Sequence, residues 1–464
     1  MYLKRQRVLW CVLLCFVTTF AGCSREQLLQ PVKRAVVSKS VLHATISDTE
    51  APHTVDSAPP NKPGFYVEFS RRGDGVVYIA KVAESLHVVL NGKAGKAYQK
   101  IENVRISPDG QRVAYVVPQN GKQSLVIDGR EGPSFDDIGP PVFSPDSSHI
   151  AFKALSGEQL NIVVDGKVGE SYRRFNGAPV FSSDSAKIAY AEGAEENRPA
   201  RLVISDLAFN NKNVKESCGD QIVTNVDSSR IASVCTNNGK QSVSELSFVQ
   251  PLKTSEGPLY DAISHLSFAK NGSTLLYVAK KEGSSYLIMN GGEEQLPKKS
   301  VPTANPVISP DLKGAGVIMS TVIENPQRNS PPGKSFLYQV INHVGKKESE
   351  YDNAEDLVYD KVGSHHAYAA LKDKKWRIVV NGIDGPLFDR AVGPMFSPDG
   401  TLLVYRARQD GKRFVIVADA NGKTIRQHQS YELVFPPVFT EDGKSLAYGV
   451  KDGKELWWKV EKLK

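Results

Sequence analysis

One phrase recurs along this chain and restricts it to a stacked architecture. A short apolar run meets a Ser-Pro-Asp-Gly turn, and a second run ending in an aromatic residue follows. It reads Ile106-Ser107-Pro108-Asp109-Gly110 before Arg112-Val113-Ala114-Tyr115, then Phe143-Ser144-Pro145-Asp146 before His149-Ile150-Ala151-Phe152. It returns as Phe396-Ser397-Pro398-Asp399-Gly400 before Leu402-Leu403-Val404-Tyr405. Aligned on its aspartate, the phrase can be placed ten times, at Asp74, Asp109, Asp146, Asp184, Asp227, Asn271, Asp311, Gly363, Asp399 and Asp442. The copies at Asp227 and Gly363 are weak, since neither keeps the Ser-Pro. Most steps span about 35 to 44 residues, a period at which each repeat is one supersecondary unit that buries its faces only against its neighbours.

Within a module the pattern fits four strands. In the copy centred on Asp146, Pro141 to Ser144 is expected as the first strand, His149 to Ala154 as the second and Leu160 to Asp165 as the third. Asp165-Gly166 then turns the chain into a fourth through Ser171-Tyr172, since such hairpin turns require positive φ. Strands at this density, with no long amphipathic helical pattern after residue 64, predict an all-β fold. Radial stacking of four-stranded antiparallel sheets into a β-propeller buries both faces of each sheet and leaves only short edges. These repeats resemble those of the TolB-type propeller, which also occur in the propeller domains of dipeptidyl peptidases and prolyl oligopeptidases. The resemblance covers about 400 residues and implies architecture rather than activity, because the repeat serves many functions. Ten modules make one large ring or two smaller ones, and the absence of a Pro/Gly linker midway favours one. The last module, Phe439 to Trp458, has three strands, so Leu42 to Ile46 or Gly64 to Val67 is expected to supply the fourth and close the ring.

Residues 1–22 read as a signal: Lys4, Arg5 and Arg7 precede the apolar run Val8 to Phe20, too short to span a bilayer comfortably. The run ends in Phe20-Ala21-Gly22-Cys23, which resembles the lipobox of bacterial lipoproteins, although Phe20 departs from the leucine usual at its position. That resemblance implies cleavage before Cys23, acylation of its sulfur and amino group, and, with Ser24 following, sorting to an outer membrane. An ordinary secretory signal cut near Ala21 is the alternative. Two or more acyl chains anchor a protein stably where one does not. Residues 23–63, broken by Pro31, Pro52, Pro59 and Pro60, read as a polar tether with a possible ring-closing strand, and residues 64–464 as the propeller. The formal charge of +7 falls to +4 once Lys4, Arg5 and Arg7 are removed, which gives no reason to expect nucleic acid as a partner.

Few residues point to chemistry. The repeated aspartates invite a calcium reading, but Asp after Pro in a tight turn bonds its own backbone and recurs for that reason. A second phrase, Gly132-Pro133-Ser134-Phe135-Asp136, Gly257-Pro258-Leu259-Tyr260-Asp261 and Gly385-Pro386-Leu387-Phe388-Asp389, has partial copies at Tyr98 and Tyr172. Its regular return favours packing between modules over a ligand site. His365 and His366 are adjacent on a strand and point to opposite faces, so they form no facing metal pair. No zincin helix, Cys-x-x-Cys pair, Walker loop or nucleophile elbow is present, so neither a catalytic residue, a metal nor a cofactor is expected. A glycosidase-like propeller would need two inward carboxylates. Once the signal is cut and Cys23 acylated, Cys218 and Cys235 remain, placed near each other by a hairpin about Asp227-Ser228; they form a disulfide or stay as two buried thiols.

Partners are expected on loops held by the rigid blades. The loops between second and third strands are rich in lysine, with Lys372, Lys374, Lys375, Lys412 and Arg413 among them, which suits an acidic envelope protein or an anionic glycan. The insertion Glu324 to Ser335, with Arg328 and Lys334, is the longest in any module and the first candidate for a contact. The sequence thus reads as a lipid-anchored envelope propeller that binds protein without catalysis. The alternative is a carbohydrate-binding propeller, or one that cleaves carbohydrate or peptide in its central channel.

Overall fold

The computed structural model describes residues 44–45, 50–52, 67–70, 75–82, 84–194, 199–248, 254–269, 272–289, 291–323, 333–440, 443–453 and 455–463. Their strands assemble into ten antiparallel sheets that form a ten-bladed β-propeller, and there is no helix among the described residues. The described strands of blades 1 to 9 fall within residues 50–98, 102–135, 137–172, 175–216, 218–256, 262–295, 300–351, 353–384 and 390–427. Blade 10 takes residues 433–462 together with Ala44–Thr45. The sheets of blades 1 to 9 run in chain order from first strand to fourth, as in blade 2, with Glu102–Ile106, Val113–Gln119, Lys122–Ile127 and Arg130–Phe135.

Strand periodicity explains why the blades must stack. In Val113–Gln119, Val113, Tyr115 and Val117 pack against blade 1, while Ala114 and Val116 pack against blade 3. Alternate side chains leave opposite faces of a strand, so a run that is apolar throughout is buried on both sides. Nine hydrophobic clusters follow, one at each seam from blades 1 and 2 to blades 9 and 10. The Ala-aromatic pair in the repeated phrase serves two seams at once: Ala151 faces blade 4 and Phe152 faces blade 2, and Ala189 and Tyr190 divide in the same way.

Ring closure uses the amino-terminal side of the chain. Ala44 pairs with Leu456 and Thr45 with Glu455, so the outer strand of blade 10 comes from within Leu42 to Ile46. Val67–Phe69 and Glu50–Pro52 instead both pair with Val76–Val82 as two pieces of the first strand of blade 1. Two strands of the ring therefore lie ahead of residue 64.

The first strands differ from the simple runs expected. That of blade 3 is split into Asp137–Ile138 and Val142–Phe143, with Gly139-Pro140-Pro141 between, rather than running from Pro141 to Ser144. Proline has no N–H for the ladder, so the strand breaks there and resumes. Blades 1, 7 and 10 are split likewise. In blades 2, 4, 5, 6, 8 and 9 the register shifts within the first strand instead. Fourth strands are mostly exposed, as in Lys93–Tyr98 and Arg130–Phe135, which marks them as the outer rim and puts the interrupted first strands around the channel. The Ser-Pro-Asp turns then share one face of the ring with the hairpins between third and fourth strands. The lysine-bearing hairpins share the other with the connections between blades.

Candidate functional site

The repeated polar residues are engaged in building the ring. At the turn after the first strand of blade 2, Ser107 donates to Asp109 Oδ1 at 2.5 Å and accepts the Arg112 N–H at 2.9 Å. The Gln111 N–H also reaches Asp109 Oδ1, at 3.0 Å. The same Ser-to-Asp bond recurs at Ser144–Asp146, Ser182–Asp184, Ser309–Asp311 and Ser397–Asp399. Hydrogen bonds led by the serine hydroxyl hold the Asp184 and Asp311 carboxyls below the usual carboxylate range. Asp109 and Asp146 also donate their backbone N–H to Ser147 and Ser185 of the next blade, at 3.1 and 3.2 Å. Asp74, Asn271 and Asp442 lie outside the described residues.

The Gly-Pro-x-aromatic-Asp phrase divides into four structural parts. Gly132 adjoins a bulge against the third strand, and Pro133 removes a donor from the outermost edge, where another chain could otherwise pair. The aromatic residue packs on the second-strand aromatic of the next blade: Tyr98 on Tyr115, Phe135 on Phe152, Tyr172 on Tyr190, Tyr260 on Tyr277, Tyr351 on Tyr368 and Phe388 on Tyr405. Ring centroids in these pairs are 5.9 to 6.2 Å apart. The aspartate is a clasp. Asp136 holds the Lys122 ammonium at 2.5 Å and accepts the Gly157 N–H of blade 3 at 2.6 Å. Asp389 holds Lys375 at 2.7 Å and accepts the Asp410 N–H at 2.9 Å. Asp261 and Asp352 clasp Lys240 and Lys334 in the same way.

The clasp changes the meaning of the lysine-rich face. Lys334 and Lys375 are neutralised by Asp352 and Asp389, and the Arg413 guanidinium is drawn onto the Glu432 carbonyl. Lys372, Lys374 and Lys412 are exposed on the same face. Of the Glu324 to Ser335 insertion, only Gly333, Lys334 and Ser335 belong to the described residues; Arg328 lies outside them, as do Cys23 and the signal. Cys218 and Cys235 sit directly opposite in paired strands of blade 5 and are joined as a disulfide.

The residues that do not repeat lie on the interrupted first strands. In blade 8 the interruption carries Glu355 and Asp356, where blade 9 has Val392 and Gly393 and blade 6 has Ser264 and His265. Glu355 is paired with Arg390 across the seam, and the Arg390 guanidinium lies over the Trp376 ring, 3.6 Å from its centroid. Asp356 accepts the Gly393 N–H at 2.9 Å, and Arg406 donates to the Val434 carbonyl at 3.1 Å. Burial raises the Glu355 carboxyl although the Arg390 charge opposes it. The only sequence signal for this cluster was its failure to repeat. Among the described residues, no group of three or more His, Cys, Asp or Glu is placed to hold a metal ion.

An open groove of about 420 Å³ follows the inner rim of the turn face from blade 2 to blade 5. Its lining mixes apolar side chains, Pro108, Val142, Phe143, Pro145, Val180, Phe181 and Val226, with Thr224, Asp227 and Ser228, and its exposed surface is only slightly more apolar than polar. Val226 is 71% exposed.

No protein-family model matches this chain, and no curated protein does. Solved β-propellers are similar to it. The propeller domain of the Trilobed protease from Pyrococcus furiosus is 14% identical over 62% of this chain and 97% of its own, with a TM-score of 0.33. An oligogalacturonate lyase in complex with manganese is 12% identical over 79% of this chain and 98% of its own, with a TM-score of 0.33. A TolB protein from Agrobacterium tumefaciens is 10% identical over 48% of this chain and 84% of its own, with a TM-score of 0.28.

Proposed function

We propose that this chain is a lipid-anchored protein of the cell envelope whose propeller binds other proteins and performs no chemistry itself. The observation that carries the reading is the open groove of mixed polar and apolar lining across four blades of a ring whose repeated polar residues are engaged in turns and seams. Rigid elements that present an exposed apolar surface favour recognition, because little conformational entropy is lost on binding. The signal ending at Cys23 supplies the anchor in this reading, with the polar segment after it as a tether. The partner is another envelope protein. The test is crosslinking and capture from the native envelope with the intact chain beside Cys23→Ser. Defined proteins that weaken or vanish with the serine variant support an anchored scaffold. Recovery of cell-wall glycan without protein would overturn it.

The raised Glu355 carboxyl beside Asp356 favours one second reading, hydrolysis in the channel. Glu355 is already opposed by Arg390, as befits a structural pair. Loss of a glycan- or peptide-cleaving activity in Glu355→Gln would favour the enzyme.

A further inference from the structure

The groove on the turn face has a charged border, and the two together define what fits it. Pro108 and Pro145 in its wall are followed by Asp109 and Asp146, Asp227 lines it directly, and Asp184 follows the blade 4 strand that supplies Val180 and Phe181. Each of these carboxylates uses Oδ1 for its own turn. Most neighbouring cations are already claimed, but Lys187 lies beside Asp184 with its buried ammonium unpartnered. Arg112 pairs with Asp128 at 2.9 Å and donates to the Ser147 and Ser148 carbonyls. His149 is held by Asp165 at 2.6 Å, and Arg230 by Glu245. The border of the groove is therefore negative at Asp109, Asp146 and Asp227, with Lys187 offsetting Asp184, while its floor of valine and phenylalanine is apolar.

We propose that this groove binds an extended segment of a partner protein in which aliphatic or aromatic side chains alternate with lysine or arginine. In an extended chain alternate residues point to opposite sides, so apolar side chains enter the groove while cationic ones reach the aspartates along its border. A groove spread over four blades and open along one side suits a chain laid across it rather than a compact ligand. Opposite charges at the border set orientation and speed of capture, and the apolar floor holds the segment. This inference rests on the scaffold reading and deepens it. It also moves the partner to the turn face and reverses its charge, because Lys122, Lys240, Lys334 and Lys375 of the other face are clasped.

The test uses the full chain with Cys23→Ser and fluorescein-labelled ten-residue peptides: alternating Val and Lys, alternating Val and Glu, and alternating Ser and Lys. Fluorescence anisotropy at two salt concentrations should show the Val-Lys peptide binding at least tenfold tighter than either control, and more weakly in higher salt. Val226→Lys and Asp227→Asn should each weaken it fivefold or more at an unchanged melting temperature, while Lys412→Glu on the opposite face leaves it unchanged. Equal binding of the Lys and Glu peptides, no binding, or loss only in Lys412→Glu would overturn the proposal. Displacement by maltohexaose from the groove would reassign it to a glycan. If defined envelope proteins are still captured when the peptide fails, the groove inference falls and the scaffold reading stands.

Discussion

Replacing Tyr405 with alanine tests whether the stabilising core lies between blades. Tyr405 is 1% exposed in the cluster shared by blades 8 and 9, and its ring meets Phe388 edge to face at 6.1 Å. Emptying a buried aromatic site costs about 3–5 kcal/mol. Of that, about 0.5–1.5 kcal/mol belongs to the geometry of the aromatic pair. Tyr405→Phe, which keeps the ring, should cost no more than about 1 kcal/mol. A chain of this size need not unfold in one step, so native-state hydrogen exchange is the assay. A loss of about 4 kcal/mol should lower protection in His366–Lys372 of blade 8 and Leu402–Gln409 of blade 9 by roughly a thousandfold. A double-mutant cycle with Phe388→Ala should return a coupling of about 0.5–1.5 kcal/mol. A cost below about 1 kcal/mol, or a coupling of zero, would refute a core built from seams.

Three further outcomes follow from named contacts. Reducing the bond between Cys218 and Cys235, 17 residues apart, should cost about 3 kcal/mol by freeing the unfolded loop, read as a lower urea midpoint in Cys218→Ser/Cys235→Ser. Glu348 is subject to burial that pushes its carboxyl up, but hydrogen bonding and charge from His366 outweigh this and leave it below its usual 4.5. Its contribution is then fully present above that value and lost as pH falls through the lower folded one, so the stability gap to Glu348→Gln should narrow in acid and hold at neutral pH. At Gly393, φ is 59° and an added Cβ meets only Arg406 Nη2 at 3.9 Å, so Gly393→Ala should cost about 1–2 kcal/mol in thermal unfolding through backbone strain alone.

Much of the architecture was legible because the repeat carries it. Val113 to Tyr115 states the strand, its two buried faces and the size alternation that fills successive seams, and Asp165-Gly166 states the hairpin through its need for positive φ, observed at 48° and 81°. The role of the Asp136, Asp261 and Asp389 clasps was not legible, because Lys122 meets Asp136 only through the register of the third and fourth strands of its own blade, and the Gly157 N–H only after blade 3 packs alongside. Lys122, Lys240, Lys334 and Lys375 therefore looked free in sequence and are paired in space, whereas Lys372, Lys374 and Lys412 stay exposed. The interruptions of the first strands were hidden for a related reason: Asn103, His265 and Asp356 reach φ of 50°, 55° and 61° with no glycine to announce it. The groove is assembled from ends of four blades, each of which reads alone as an ordinary strand terminus.

The account is tested most directly by a photoreactive residue placed at Val226 or at Lys412 in the intact chain and activated in the native envelope. The account predicts a defined protein crosslinked from Val226 through a segment mixing apolar and basic residues, and little from Lys412. A defined protein from Lys412 alone, or no protein from either, would contradict it.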